Sequence, residues 1–485
     1  MTSTPVTPTP VTPTPVTSTP VTPTPVTSMS TPSPALLRLP SGRMEERFPD
    51  KKPLYDTSEA VAEANRCLYC VDAPCIKACP TAIDIPTFIR KISTGNVRGA
   101  ARTILTANLL GESCGQVCPV EVLCAGACVY NEWDREPIKI GRLQHYAVHE
   151  ALAHKRDLFE AKPETGRRVA LIGAGPASIA AAGWLALEGH RAVIFERKSI
   201  PGGLNTLGIA PYKMKGNAAL DEIGWVLSLA KGRIELRTGV VVVAGPATAT
   251  AGEVSAEALL AEYDAVFLGL GLGADSRLGV PGEDGPGVVG ATAFIERLKA
   301  DPTMKLDGVR RAIVVGGGNT ALDAVHELAL LGVETSMVYR RRRAEMPGYE
   351  HELDAARVDG ARLVEDRVPI AVVRDGAQPQ GRLLGLCVAP ATDGKASGQE
   401  ENLPADLIVV AIGQSRATGV ALAFPGVALD AKGRIVVDRA TQRTGNPKVY
   451  SGGDCVNGGK EVVNAVAEAR AAVQAMSAAF AMGGK

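Results

Sequence analysis

The sequence predicts an α/β chain preceded by a helical, cysteine-rich stretch, on three observations. Eight of the ten cysteines lie between Cys67 and Cys128. Further on, an apolar strand runs into a glycine turn and a helix at Gly173, and the same unit recurs at Gly316. Two more apolar runs end in glycines, at Gly273 and Gly413, as the buried strands of a parallel sheet do.

A length of 485 residues accommodates about three domains. Lys plus Arg and Asp plus Glu both number 52, so the net charge is zero and neither a nucleic-acid nor a membrane partner is expected. No apolar run approaches the roughly 18 residues of a membrane span, and no apolar core follows a basic N-terminal stretch. A reducing, cytoplasmic location is therefore expected, where clustered cysteines are metal ligands rather than disulfides.

Residues 1–42 are expected to form a disordered tail. Val-Thr-Pro-Thr-Pro recurs at 6–10, 11–15 and 21–25, and almost nothing there can pack a core. Residues 43–165 read as a helical domain. Helices are expected over 58–65, with Ser58 or its neighbour Thr57 as N-cap, over 85–92 and over 100–110.

The first cysteine block is Cys67-x2-Cys70-x4-Cys75-x3-Cys79-Pro80, and the second is Cys114-x3-Cys118-Pro119 followed by Cys124 and Cys128. A Cys-x2-Cys-x4-Cys loop lets three thiolates converge on one iron–sulfur cubane, and the cysteine before proline often serves the other cluster. Two cubanes need eight ligands, and counting alone assigns all eight cysteines. Structural zinc also takes four thiolates, but it favours paired Cys-x2-Cys knuckles and only one occurs here. Cys387 and Cys455 are isolated and read as structural.

At the first turn, 169–172 is the strand, Gly173 makes the tight turn, and Gly175 lets backbone approach a pyrophosphate at the helix N-terminus. Ser178 replaces the third glycine, and the next strand ends in Glu196, placed to bind ribose hydroxyls. The second turn, Gly316-Gly317-Gly318, is followed by a helix expected over 322–331 and a strand over 335–339. That strand ends in Arg340 to Arg343 instead of an acid, which suits the 2′-phosphate of NADP. Asp454, between a strand and a helix expected over 462–476, can hold flavin oxygens. The expected architecture is a helical N-terminal iron–sulfur domain followed by two Rossmann-like dinucleotide-binding domains. The FAD domain takes 166–290 and 414–485, with the NAD(P) domain, 291–413, inserted in it.

These residues resemble the amino-terminal half of dihydropyrimidine dehydrogenase and its free-standing bacterial counterpart, and more distantly the glutamate synthase small subunit. The strings that carry the likeness are Cys70-Val-Asp-Ala-Pro-Cys75, Cys79-Pro-Thr-Ala-Ile-Asp-Ile-Pro86, the run from Leu109 to Pro119, Ile140-Gly-Arg-Leu-Gln144 and Gly175-Pro-Ala-Ser-Ile179. The resemblance implies one 4Fe–4S cluster on Cys67, Cys70, Cys75 and Cys128. It implies a second on Cys79, Cys118, Cys124 and Gln144, which sets Cys114 aside. It implies FAD on Gly173, Ala174, Gly175, Pro176, Ala177, Glu196, Gly203, Leu204, Lys213 and Asp454. NAD(P)H would meet Gly317, Gly318, Asn319, Thr320, Arg340, Arg341, Arg343, Ala411, Ile412 and Gly413. Lys213 stands where the family has arginine.

The implied activity is electron input: from NAD(P)H, through FAD and two 4Fe–4S clusters, to an FMN-containing catalytic subunit that reduces uracil or thymine, in a hetero-oligomer. The cofactors carry that chemistry, so no side chain is assigned as general acid or base. The alternatives are a glutamate synthase small subunit, or the input module of another reductase.

Overall fold

Short capped helices tied together by the cysteine loops build the N-terminal domain. The structure, a computed structural model, describes residues 38–154, 157–247, 252–376, 380–392 and 394–483. Most of the expected tail, 1–37, lies outside the described residues. Helix α1 (Thr57–Ala64) is capped by Asp56, not by Ser58 or Thr57 as expected. The Asp56 carboxylate accepts from the Glu59 amide at 2.8 Å, and the Glu59 carboxylate accepts from the Asp56 amide at 3.0 Å. The Ser58 hydroxyl donates to Asp56 instead.

Helix α2 (Pro74–Ala78) starts on a proline inside the first cysteine block. Asp84 caps α3 (Ile85–Ser93) and Asn96 caps α4 (Val97–Ala107). α4 stops short of 110 because Asn108 turns extended and takes the Leu110 amide on its side chain. Then come α5 (Gly111–Val117) and α6 (Ile140–Ala153). Phe88, Ile89, Ile104, Leu105, Leu143 and Val148 are fully buried and fuse α3, α4 and α6 into one core. Each such side chain contributes about 1.5–3 kcal/mol by leaving water.

The α/β part begins with β1 (Arg168–Ile172), α7 (Pro176–Leu187), β2 (Arg191–Glu196), α8 (Leu204–Leu207), α9 (Gly216–Ser228) and β3 (Ile234–Thr238). A two-stranded ribbon, β4 (Val241–Val243) and β5 (Glu253–Ser255), leads through α10 (Ala256–Glu262) to β6 (Ala265–Leu268). The chain next runs through β7 (Val288–Gly290), α11 (Ala291–Ala300), β8 (Arg311–Val315), α12 (Asn319–Leu330), β9 (Glu334–Val338), α13 (Glu350–Val358) and β10 (Arg362–Val364). An antiparallel layer of β11 (Arg367–Asp375), β12 (Arg382–Thr392), β13 (Lys395–Ala396) and β14 (Glu401–Pro404) comes before β15 (Leu407–Val410). Last are α14 (Thr418–Leu422), β16 (Val449–Ser451), α15 (Asp454–Asn457) and α16 (Val462–Met482).

Two five-stranded sheets result, ordered β16-β6-β1-β2-β3 and β10-β9-β8-β15-β7. All pairs within them are parallel. β1 is central, with Leu171 opposite Ile194 on one side and Phe267 on the other. The second sheet is inserted between β6 and β16 of the first. The two crossings run antiparallel: the Gly273 amide donates to the Ser415 carbonyl and the Ser415 amide to the Ala274 carbonyl, both at 2.8 Å. β7 pairs with β15 in the second sheet, ahead of the start expected for the insert at 291. The helix after the second turn starts at Asn319, three residues before 322, because Gly318 at its N-cap already frees the first helical turn.

Candidate functional site

A cavity of about 840 Å³ opens where the strand ends of the first sheet face the inserted domain. Gly173 adopts φ +89°, and a Cβ there would stand 2.6 Å from the Gly269 carbonyl oxygen, so only glycine makes this turn. Gly175 is the N-cap of α7 and faces open space. Ser178 is fully buried with its hydroxyl against Gly269, so a small residue does keep helix and strand close, as expected of the missing glycine.

Gly173, Gly175, Pro176, Ala177 and Glu196 all line the cavity, as do Gly203, Leu204, Lys213 and Asp454. Ala174 is buried behind the turn. Glu196 holds the turn itself: it accepts from the Ala174 amide at 2.7 Å and the Lys198 amide at 2.8 Å. Asp454 begins α15 and accepts from the Lys460 amide at 3.2 Å, and burial raises its carboxyl above the ordinary range. Lys213 is not free for a phosphate. Its ammonium bridges Asp323 at 2.7 Å and Glu352 at 2.6 Å. Burial opposes that charge, but the two carboxylates hold it above the usual lysine range.

The second turn stands beside this cavity and contributes only Asn319 to its wall. Gly316 adopts φ +146° with its α-carbon against the Ala411 carbonyl, which ties the turn to the end of β15. Gly317 lies against the Tyr339 ring, and its carbonyl accepts from the Gly348 amide at 3.0 Å. Gly318, Thr320, Ile412 and Gly413 complete the loop ends outside the cavity. Arg340 and Arg341 are exposed and make no side-chain hydrogen bond or ion pair among the described residues. Arg343 differs: it pairs with Glu350 and Asp354, each at 2.8 Å.

The cysteines gather at two apolar clefts. Cys67, Cys70, Cys75 and Cys128 line one, with Leu68 and Tyr130. Cys79, Cys114, Cys118 and Cys124 line the other together with Gln144. Both clefts have apolar walls, as a cubane's site does. Burial first, then the neighbouring Cys67 and Cys128, pushes the Cys75 thiol up to about 12. Contact with Cys114, then burial, pushes Cys118 well up. Such crowded thiols ionise together only around a cationic centre.

The sites form a series. Val117, Pro119 and Val462 line the cavity, while Cys118 and Val463 line the second cleft. Ile85 lines both clefts. Beyond the Cys67 cleft, Leu68 is 45% and Val71 100% exposed. Sequence reasoning missed Tyr349, Asp323 and Glu352, which close the cavity from the inserted domain. No local motif marks them. It also missed Lys52, whose ammonium donates to the Cys118 carbonyl at 2.9 Å.

Residues 44–156 match the family described as dihydropyrimidine dehydrogenase domain II, 4Fe-4S cluster. Residues 167–469 match the pyridine nucleotide-disulphide oxidoreductase family. The chain is 32% identical over 464 residues to the glutamate synthase [NADPH] small chain of Escherichia coli K12, covering 87% of this chain and 95% of that protein. It is also 32% identical over 431 residues to the NAD-dependent dihydropyrimidine dehydrogenase subunit PreT of the same strain, again 87% and 95%. Overall identity thus does not rank the two, although the motif strings had placed glutamate synthase further away. A thioredoxin reductase structure from T. acidophilum superposes with TM-score 0.51 at 21% identity, over 64% of this chain and 99% of that one. That likeness bears on the fold alone. No helix among the described residues is long and apolar enough to cross a membrane.

Proposed function

The chain belongs to the pyridine nucleotide-disulphide oxidoreductase family, with FAD, NAD(P)H and two 4Fe–4S clusters as its cofactors, and we propose that it is the electron-input subunit of a dihydropyrimidine dehydrogenase. More coarsely, it is an NAD(P)H-dependent flavin iron–sulfur oxidoreductase related to PreT and to the glutamate synthase small chain.

Gln144 carries the finer reading. It shares a cleft with Cys79, Cys118 and Cys124, and its Nε2 donates to the Gly111 carbonyl at 2.8 Å. That bond commits the amide nitrogen and leaves Oε1 as the ligand atom. A neutral amide oxygen in place of a thiolate changes the net charge of a cluster and so its potential. On this reading Cys114 is a neighbour of the second cluster and not a ligand.

Bound here, the cofactors supply hydride transfer between nicotinamide and flavin and one-electron conduction through the clusters. The residues position them. The 173–177 turn presents backbone amides at the N-terminus of α7 to a pyrophosphate. Glu196, fixed by two amides, offers its remaining lone pairs to ribose hydroxyls, and Asp454 does the same for the flavin side chain. Lys213 is fixed in the cavity wall by Asp323 and Glu352, which neutralise its charge there. Arg340 and Arg341 are free to meet a 2′-phosphate.

The partner on this reading is a separate FMN-containing subunit that reduces uracil or thymine, in a hetero-oligomer in the cytoplasm. The surface around Leu68 and Val71, next to the Cys67 cleft, is its docking face. A tagged chain should capture that subunit, and the pair should oxidise NAD(P)H only when uracil or thymine is present. A second reading, the glutamate synthase small chain, rests on the equal 32% identity. It requires a large amidotransferase as the captured partner and oxidation driven by glutamine and 2-oxoglutarate.

A further inference from the structure

We propose that Glu112, His145 and His149 form a binding site for a divalent transition-metal ion, zinc by its ligand set, separate from the two cysteine clefts. His145 and His149 lie four residues apart on α6, so both imidazoles face the same way. Glu112, in the first turn of α5, meets them. Its Oε1 stands 3.1 Å from His145 Nε2 and 3.1 Å from His149 Nδ1. One ligand atom from each of the three lies within 4.8 Å of the others. In a tetrahedral zinc site with bonds of about 2.0–2.1 Å, neighbouring ligand atoms are about 3.4 Å apart. The triad needs only a small adjustment to reach that.

A second observation points to a cation. Glu112 is 5% exposed, and its other carboxylate oxygen, Oε2, is buried without a hydrogen-bond partner. Two neutral imidazoles can both donate to Oε1, but neither reaches Oε2, and an orphaned buried carboxylate oxygen is costly. An ion held by the two nitrogens and by this carboxylate through Oε2, or through both of its oxygens, would remove that cost. Two imidazoles and one carboxylate suit zinc, and the half-exposed His149 leaves a fourth corner open to water.

The ion would cross-link α5, which carries Cys114, to α6, which carries Gln144. It would also stiffen the contact with the α/β part, because the Glu112 amide donates to Glu222 on α9 at 2.7 Å. The site therefore braces the second cysteine cleft from behind without touching it.

The test uses the anaerobically purified holoprotein with flavin and clusters in place. Zinc chloride is added, excess is removed by desalting, and metal content and the zinc K-edge spectrum are measured. The expected result is one zinc per chain in addition to the cluster iron, with nitrogen and oxygen neighbours only. His149→Ala should weaken zinc binding by about tenfold or more while keeping iron and flavin at wild-type levels. His154→Ala, an exposed histidine off the triad, should bind like wild type. No retained zinc, zinc with sulfur neighbours, or equal retention in His149→Ala would overturn the proposal. A His149→Ala variant that loses only thermal stability, with zinc unchanged, would reduce the triad to an ion-pair clamp and overturn it too.

Discussion

The phenol of Tyr349, in the inserted domain, donates a 2.8 Å hydrogen bond to the carboxylate of Glu461 just ahead of α16. The two residues are 112 positions apart and both line the cavity. Burial raises both groups above their ordinary ranges, so at neutral pH the phenol keeps its proton and the bond persists. It pins the inserted domain over the first-sheet cavity. Tyr349→Phe removes the donor and little else. A hydrogen bond to a charged group contributes about 1.5–3 kcal/mol, so the second-order rate of flavin reduction by NAD(P)H should fall about tenfold. Anaerobic stopped-flow at the flavin band measures it. An unchanged rate would mean that the bridge does not position the nicotinamide domain.

The arginine run should divide in two. Arg340 and Arg341 have no side-chain partner among the described residues, while Arg343 is spent on Glu350 and Asp354. Replacing Arg340 and Arg341 by alanine should raise KM for NADPH about tenfold and leave KM for NADH within about twofold, by losing charge-assisted bonds to the extra phosphate. Arg343→Ala should instead lower Tm and leave both constants nearly unchanged. Equal effects of the double variant on the two nucleotides would remove the case for a 2′-phosphate site.

The parts legible in the sequence are those set by local chemistry. Gly173 and Gly316 mark turns whose backbone only glycine allows. The strands leading into them are apolar after their first arginine because both faces of each sheet are covered, in the second sheet by helices on one side and the β11–β14 layer on the other. The cysteine count likewise announced two clusters, while the division of residues between the clefts followed the family resemblance. What the sequence left hidden depends on distant residues. The cap of α1 went to Asp56 because a carboxylate three residues before Glu59 makes a reciprocal cap that Ser58 cannot. The ion pairs of Lys213 with Asp323 and Glu352, far off in the chain, were likewise hidden. The antiparallel layer of β11 to β14 carries no glycine turn of the nucleotide kind, and nothing local announced it.

Cys114 and Gln144 line the same cleft, and only one of them can complete a four-ligand set with Cys79, Cys118 and Cys124. If Gln144 is the ligand, Cys114→Ala should keep about eight irons per chain, the content of two 4Fe–4S clusters. Gln144→Ala should then shift or destroy one cluster signal in the low-temperature electron paramagnetic resonance spectrum. Loss of a whole cubane in Cys114→Ala would reverse the assignment and favour the plain count of eight thiolates.

Glu222 sets a pH dependence that a single substitution can isolate. It is fully buried on α9, where it accepts from the Glu112 amide at 2.7 Å, the Ser113 amide at 3.1 Å and the Ser113 hydroxyl. Burial outweighs those donors and pushes its carboxyl up to about 8, from an ordinary value of 4.5. The unfolded chain gives up this proton near 4.5, whereas the folded chain holds it to about 8. Between those values the folded state binds the extra proton, so this stabilisation is complete below the lower value and is lost as pH rises through the upper one. One proton's difference changes stability by about 1.4 kcal/mol per pH unit, which for a chain of this size moves Tm by about 1–2 °C per pH unit. His149, raised mainly by its bond to Glu112, loses stability in the same direction, so wild type alone cannot separate the two. Glu222→Gln is neutral at every pH and keeps a carbonyl oxygen for the Glu112 and Ser113 donors. Its Tm should fall less than that of wild type between about pH 6 and pH 9, with flavin bound in both. Parallel curves for the two proteins would show that Glu222 is ionised in the fold, with its charge carried by the three donors around it.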